Sequence, residues 1–496
     1  MTPDDRTPVI VGCGEAVDRP ATLSHALDPI GLMALAARRA DDDAGGGLLG
    51  QVDRLDVVNL VSWRYADPPG ELAARLEIAP RSASYAPIGG DTPTKLIHDA
   101  ALAIARGEAR VALIAGGEAQ HSAARAQKEG TKLPWPPFAH DAPARVERAT
   151  YLHPLAIELG ASMPVNVYPF YEMASAHAWG QTPAAAQSES AELWARYAAI
   201  AADNPSSWLN RQYTAADIAH VTPDNRLIAW PYTKLMVANP MVNQGAAVIV
   251  ASLAAAREAG VDPGAMVHLV GGAAADEPRD YLARGGYASS PAQDAVLSRA
   301  LDLAEGRRFD AVELYSCFPC VPKMARRTLG LGDDVMPTVT GGLTFFGAPL
   351  NDYMLHATVA MVRRLRGARG IGLLYGQGEF VTKHHALLLS AMRPGTALDS
   401  DYSVAADAGA RRGPIPPTIL PREGSATLET ATLLYRRDGT VDRGIVILRV
   451  GGSARTMAAV APDDRATLAA ITDPERYPVG RNGTIAAGDV PRWSIA

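Results

Sequence analysis

Residues 94–118 read TKLIHDAALAIARGEARVALIAGGE, and residues 355–379 read LHATVAMVRRLRGARGIGLLYGQGE. In the first, apolar residues at helical spacing predict an amphipathic helix over 94–106, with Pro93 near its start, where a missing N–H is tolerated. Gly107 is placed to stop it. Residues 111–115 form a short, unbroken apolar run of the kind buried on both faces of a sheet, and Gly116-Gly117-Glu118 turns tightly at its end. The second stretch repeats the order: an alanine-rich helix opened by Leu355-His356, then Gly367-Ala-Arg369, a strand over 371–375, and Gly376-Gln-Gly-Glu379. Any two strand–helix units share these features, so the pair leaves duplication and coincidence both open. Duplication is weighed first because it would set the fold.

Working outward, residues 9–13 read as a buried strand, 29–40 as a helix, and 55–61 as a second buried strand. Alternating strands and helices predict an α/β architecture with a mostly parallel sheet. From 119 to 230 the texture changes to Trp, Tyr, Pro and Met, as in Trp135-Pro-Pro-Phe138 and Tyr168-Pro-Phe-Tyr171. A segment this long is no plain loop; it reads as an inserted domain of short helices over one end of the sheet. The division expected is a first α/β half over 1–118, completed by about 231–253, the insertion over 119–230, and a second half over 254–400. Residues 402–421 (with GARRGPIPP) read as a linker. Residues 422–496 read as a small β-rich, barrel-like domain, with Asp438-Gly439 as a hairpin signal.

Composition narrows the class. The 496 residues carry 47 Lys+Arg against 53 Asp+Glu, a net charge of −6, and a nucleic-acid partner would normally bring a basic surplus. Three cysteines make no disulfide framework and suit a reducing, cytoplasmic setting. The opening Met-Thr-Pro-Asp-Asp-Arg lacks the features of a signal peptide. No apolar run reaches the roughly 18 residues of a membrane span.

Four glycine-marked stretches are placed to carry chemistry. Pro87-Ile-Gly-Gly90-Asp91-Thr-Pro-Thr94 leads into a helix, where backbone amides suit an anion or a carbonyl oxygen, or simply cap the helix. Glu313-Leu-Tyr315-Ser-Cys317-Phe-Pro-Cys320 offers a thiol as nucleophile or proton donor, a C-x-x-C redox pair, or two small core residues. Zinc is not expected, because no second ligand pair is evident. Gly341-Gly342 followed by Gly347-Ala348-Pro349-Leu-Asn351-Asp-Tyr353 suits a loop close to a ligand. Tyr375-Gly376-Gln-Gly378-Glu379 is followed by Lys383-His384-His385, whose imidazoles must point apart. As isolated features, His356, His384 and His385 read as capping or packing residues.

In their order and spacing over about residues 7–395, these loops resemble the thiolase superfamily, specifically its sterol-carrier-protein-type and thiolase-like branch. Tyr168-Pro-Phe-Tyr-Glu172 and Asn239-Pro-Met-Val-Asn-Gln-Gly-Ala246 look like segments of bacterial proteins labelled acetyl-CoA acetyltransferase, and the β-rich tail resembles that group's extra C-terminal domain. The resemblance implies a thiolase fold: two βαβαβαββ halves in five layers, with an inserted loop domain and the tail. It places the family's nucleophilic cysteine at about Gly90, which has no thiol, and its catalytic histidine at Ala348. Cys317 maps to an acid/base cysteine, and Tyr315 replaces an oxyanion-hole Asn or His.

What the resemblance implies for function is an enzyme acting on an acyl-CoA or β-keto substrate, by acyl transfer or carbon–carbon cleavage. Cys317, Tyr315, Tyr353, Tyr375 and His356 are its candidate catalytic groups. Gly90, Asp91, Gly347, Ala348, Asn351, Gly376 and Gly378 are its candidate substrate or CoA contacts. No metal and no permanently bound cofactor are expected; coenzyme A enters as substrate. A homodimer, or a partner held through the tail, is compatible with the family. The alternative is a non-catalytic protein that binds acyl-CoA or a partner.

Overall fold

A computed structural model describes residues 4–142, 148–368 and 370–496; Met1–Pro3 and Arg369 of the stretches quoted above lie outside the described residues. The first half runs β1 (Pro8–Val17), α1 (Pro29–Asp43), β2 (Arg54–Val57), α2 (Pro68–Leu76), β3 (Ser82–Tyr85), α3 (Thr92–Arg106) and β4 (Val111–Ala119). The insertion follows as α4 (Gln120–Glu129), α5 (Pro154–Glu158), α6 (Pro164–Ala178), α7 (Pro183–Asp203), α8 (Ala215–Ala219), β5 (Leu227–Ala229) and β6 (Tyr232–Thr233). β7 (Asn243–Ser252) closes the first half, and α9 (Leu253–Glu258) leads to the second. The second half runs β8 (Val267–Asp276), α10 (Pro291–Leu303), β9 (Ala311–Leu314), α11 (Cys320–Thr328), α12 (Tyr353–Leu365), β10 (Ile371–Gly378) and β11 (Lys383–Ser390).

The strands form one nine-stranded sheet in the order β3-β2-β4-β7-β1-β8-β11-β10-β9. From its middle outward, each half repeats the same order, and the halves join antiparallel with Val9 opposite His268 and Ile10 opposite Val267. Among the described residues, the second half has no counterpart of the edge strand β3. Its chain there carries Gly330, Gly332, Pro337, Gly341 and Gly342, and the Pro337 carbonyl accepts from Leu314 N at 3.0 Å. The expected mostly parallel sheet is corrected to a mixed one. β2–β3, β2–β4 and β9–β10 are parallel, while β1–β7, β1–β8, β4–β7, β8–β11 and β10–β11 are antiparallel. In each half the last strand returns antiparallel to the one before it, β11 by a short turn from β10 and β7 after the insertion.

Alternation along the strands builds the layers. Val111, Leu113 and Ala115 pack with Ile30, Leu32 and Met33 of α1, while Ala112 and Ile114 face the core that holds Ile97, Ala100 and Ala101 of α3. Both faces are buried, which is why the run reads as apolar throughout. Helix α1 settles onto β1 because Gly14 has no side chain; a Cβ there would lie 2.1 Å from the Ala36 carbonyl oxygen. Helices α3 and α12 lie side by side in the central layer, touching strands of both halves, and α10 covers the far face of the second half. Gly107, at φ 77°, ends α3 in the left-handed conformation.

Residues 231–242, expected within the first half, stay with the insertion: β6 pairs with β5, and β5 continues into the C-terminal sheet through Ala229 opposite Leu434. The linker is partly ordered, since the alanine-rich α13 (Ala405–Arg411) packs on α10. Beyond it, β12 (Gly424–Tyr435), β13 (Val441–Val450), β14 (Ala454–Val460), α14 (Arg465–Ile471), β15 (Asn482–Ala486) and β16 (Arg492–Ile495) form a closed five-stranded barrel. Strand pairing runs β12-β13-β14-β16-β15 and back to β12, with β14 and β16 parallel. This is the Greek-key order of an OB-type barrel.

Leu428, Val446, Leu448, Ala458, Val460 and Trp493 fill the barrel. The outward-pointing Ile445, Ile447, Met457 and Ala459 of β13 and β14 join the core of the main body. Arg455, fully buried, donates to both carboxylate oxygens of Glu429 (2.9 and 2.6 Å) and to the carbonyls of Leu282 (2.6 Å) and Arg284 (2.5 Å). Removing one member of a buried, fully bonded ion pair costs about 3–5 kcal/mol. Arg455→Ala is therefore expected to lower stability by that order and to open the 391–421 segment to proteases, measured by urea unfolding and limited digestion. An unchanged urea midpoint and digestion pattern would mean that the barrel does not depend on this anchor.

Candidate active site

The turn before α3 is held from two sides. Asn351 accepts from Gly89 N (3.0 Å) and donates to the Asn59 carbonyl (3.1 Å), and Lys383 on β11 donates to the Ile88 carbonyl (2.6 Å). Past the end of β9, Tyr315 N donates to the Tyr375 carbonyl at 3.0 Å, which draws the following loop onto β10. The Tyr315 hydroxyl thereby comes to the turn. A Cβ at residue 90 would lie 2.2 Å from Tyr315 Oη and 2.5 Å from the Gln377 carbonyl. The hydroxyl occupies the space a side chain at 90 would need.

Glycines on β10 complete the fit. A Cβ at Gly376 would lie 3.0 Å from Thr94 Oγ1, and one at Gly378 would lie 2.4 Å from Asp91 Oδ1. Asp91, Tyr315 and Cys317 keep 7%, 7% and 8% of their surface open, whereas Tyr353, Tyr375 and His356 keep none. Among the candidate catalytic side chains and Asp91, only these three keep any accessible surface. Burial pushes the Asp91 carboxyl up to about 6, and holds the Tyr315 phenol well above its ordinary value, with Cys317 and Asp91 adding to the effect. Tyr315 is therefore a neutral hydrogen-bond donor at working pH, not a base.

Cys317 Sγ lies 3.7 Å from Gln377 Oε1, which also accepts from the Tyr168 hydroxyl at 2.8 Å. Burial pushes the Cys317 thiol up to about 12, so it stays protonated, a proton donor and a poor nucleophile. Cys320 is buried deeper, with Sγ 3.8 Å from the Tyr168 carbonyl, and its thiol is likewise raised by burial. All three cysteines are free thiols. Among the described residues, no group of three or more His, Cys, Asp or Glu side chains is placed to hold a metal ion. No helix among them is long and apolar enough to cross a membrane.

The remaining candidates are drawn elsewhere. Tyr353 donates to Glu313 Oε1 (2.7 Å) and meets the Thr340 hydroxyl (2.5 Å); it reaches Tyr315 only through an edge-to-face ring contact at 5.8 Å. Tyr375 bonds His384 Nδ1 (2.7 Å) and accepts from Gln293 of α10 (2.8 Å), on the face of β10 opposite Gly376. His356 is buried between Glu15 (2.7 Å) and Asp352 (3.5 Å), in the central layer. The Ala348 amide donates to the Asn239 carbonyl (2.9 Å), and its methyl brings no base to the loop. Gly347, at φ 122°, has no room for a side chain: a Cβ would lie 2.5 Å from Gln244 Oε1. His384 and His385 point to opposite faces, to Tyr375 and to His98. Sequence reasoning assigns no role to Tyr168, Gln377, Thr94 or Lys383. Their loops carry recognisable patterns, but only the fold brings Tyr168 and Gln377 to Cys317.

The fold has counterparts among known proteins. Residues 410–489 match the thiolase-like protein type 1 additional C-terminal domain. A monomeric SCP2-thiolase-like protein type 1 from Mycobacterium smegmatis aligns over 99% of this chain and 100% of its own, with a TM-score of 0.83 and 28% identity. The Ltp2–ChsH2(DUF35) aldolase aligns over 78% of this chain and 98% of its own (TM-score 0.58, 18% identity). Human mitochondrial 3-ketoacyl-CoA thiolase in complex with CoA aligns over 79% and 99% (TM-score 0.55, 16% identity). The last two likenesses concern the fold alone. No curated protein sequence matches the chain.

Two outcomes check this geometry. Gly90→Ala is expected to destabilise the protein by about 1–3 kcal/mol through overpacking, with part of the loss recovered in Gly90→Ala/Tyr315→Ala, measured as a double-mutant cycle in urea. Strict additivity would separate the two residues. Burial opposes the His356 imidazolium, but Asp352 and Glu15 outweigh it and raise the group to about 9. A folded-state value above the unfolded 6.5 gives stability that is complete below 6.5 and lost as pH rises towards and past 9. His356→Gln is expected to flatten that slope in pH-dependent unfolding.

Proposed function

Starting from a thiolase-superfamily chain that carries an additional C-terminal domain, we propose that the protein cleaves a carbon–carbon bond in an acyl-CoA-type thioester without forming an acyl-enzyme. The observation that carries this reading is the Tyr315 hydroxyl lying where a side chain at residue 90 would stand. Thiolysis needs a nucleophile to hold the acyl group and a base to activate it. Gly90 and Ala348 supply neither. A phenol fixed at that point suits a different role, which is hydrogen bonding to a thioester oxygen as negative charge gathers on it. The neutral Cys317 thiol beside it is suited to returning a proton to the α-carbon.

A retro-aldol cleavage asks for nothing more than a base, an oxyanion donor and a proton donor. Coenzyme A enters as part of the substrate, and the three free thiols support a reducing, cytoplasmic setting. With the β13–β14 face turned into the body, a partner held through the barrel would have to use its remaining outer surface. A second reading, a non-catalytic acyl-CoA-binding protein, draws on the same packing, because Tyr315 fills the place of the attacking group.

An assay of aldehyde or ketone release from β-hydroxyacyl-CoA thioesters, and of acid or acyl-CoA release from β-ketoacyl-CoA thioesters with water or CoA as acceptor, tests the proposal. Cleavage is expected, with Tyr315→Phe lowering kcat by about 10²–10³ and Cys317→Ala by about 10². Measurable CoA binding with no turnover of any thioester would favour the second reading.

A further inference from the structure

At the start of α3, two buried polar atoms have no hydrogen-bond partner: Asp91 Oδ1 and Thr94 Oγ1. Asp91 stands at the N-cap, where an aspartate ordinarily accepts a helix N–H, yet its side chain makes no capping bond. Thr94 is fully buried, and Asp91 is 7% exposed. Leaving such groups unbonded is costly, so an orphaned pair in one place points to a bound partner.

The surrounding backbone is shaped to the pair. Cβ atoms at Gly89 and Gly378 would each lie 2.4 Å from Asp91 Oδ1, and one at Gly376 would lie 3.0 Å from Thr94 Oγ1. The three missing side chains therefore let an unbonded carboxylate oxygen and an unbonded hydroxyl pack directly onto the backbone of the turn and of β10. The Tyr315 hydroxyl is beside them, over Gly90.

The chemistry of the two atoms selects the ligand. Carboxylate oxygen only accepts, while the threonine hydroxyl can donate. A substrate hydroxyl satisfies both, giving its proton to Asp91 and taking one from Thr94. A keto oxygen has no proton to give, and would set its lone pairs against the carboxylate. We propose that Asp91 and Thr94 bind a substrate hydroxyl, so that the ligand is a β-hydroxyacyl thioester, and that Asp91 takes the hydroxyl proton during cleavage.

The inference rests on the carbon–carbon cleavage proposed above and adds to it the substrate class and the base. As the β-oxygen loses its proton to Asp91, its electrons form the carbonyl. The α–β bond breaks and its pair passes to the α-carbon and the thioester oxygen, which accepts from Tyr315. The α-carbon then takes a proton from Cys317 or from the protonated Asp91. One β-hydroxyacyl thioester yields one carbonyl compound and one shortened acyl thioester, with no oxidant or reductant. The charged and titratable groups bearing on Asp91 are Lys383 from β11, Asp276 from β8, Glu379 from the β10–β11 turn, Tyr375 from β10, and Tyr315. Burial raises its carboxyl to about 6, so it is mostly ionised above neutrality.

Binding of 3-hydroxybutyryl-CoA, acetoacetyl-CoA and butyryl-CoA to the full chain, by calorimetry, tests the site apart from turnover. At pH 8 the hydroxy thioester is expected to bind about tenfold or more tightly than the other two, with the preference lost in Asp91→Ala and weakened in Thr94→Val. Equal binding of all three probes by the wild type would overturn the inference whatever the enzyme turns over. A clear hydroxyl preference without any cleavage would uphold the hydroxyl site and refute the cleavage reading and the proton transfer with it. Where cleavage occurs, Asp91→Asn keeps the side chain's shape and is expected to lower kcat by about 10²-fold or more with KM little changed, and to abolish the acid limb of the pH profile near 6. Wild-type kcat in Asp91→Asn would refute the base.

Discussion

One small volume of space governs the chemistry of this molecule. Where the backbone at residue 90 enters α3, there is room either for a side chain on the turn or for the Tyr315 hydroxyl, and the structure contains the second. Glycine at 90 and tyrosine at 315 are therefore one feature written at two places in the chain. Gly376 and Gly378 extend it, because their missing side chains admit Thr94 and Asp91 to the same region. A turn built in this way has no side chain to attack a substrate, and the polar groups beside it are a phenol, a carboxylate and a hydroxyl.

The rest of the central layer holds that arrangement still. Glu313 is fixed by Tyr353, Thr338 and the amides of Val339 and Thr340, and burial raises its carboxyl to about 7. Glu15 bridges His356, Arg363 and Ser206. These networks tie the loop after β9, the glycine-rich segment before α12 and the first strand into one body. Several residues that look like catalysts in the sequence are struts of this kind. The hydroxyls of Tyr353 and Tyr375 are bonded to Glu313 and His384, and Glu15 holds His356 at Nδ1.

The C-terminal barrel follows the same logic at larger scale. OB-type barrels commonly bind ligands across their second and third strands. Here the outer face of those strands, β13 and β14, carries Ile445, Ile447, Met457 and Ala459 into the core of the main body, and Arg455 reaches past them to the 282–284 segment. The barrel is thus an integral wall of the protein. It also fixes α6, since Thr430 donates to the Phe170 carbonyl at 2.8 Å, two residues from the Tyr168 that lies over Phe318.

Much of this was legible in the sequence. Apolar runs at 111–115 and 371–375, with glycines after each, marked strands buried on both faces, because such strands cannot alternate polar and apolar residues. The Asp438-Gly439 turn marked the first barrel hairpin. The absence of a cysteine at 90 and of a histidine at 348 is a fact of sequence once the loops are aligned, and it alone argues against a covalent acyl-enzyme. What only the tertiary structure decided is which of the remaining groups meet. Tyr315, Tyr353 and Tyr375 are indistinguishable as letters, yet one lies over the turn while the others are bonded to Glu313 and to His384. A side chain's direction depends on its strand face and on what lies opposite it, and for Tyr315 the opposing glycine, Gly90, comes from the other half of the chain.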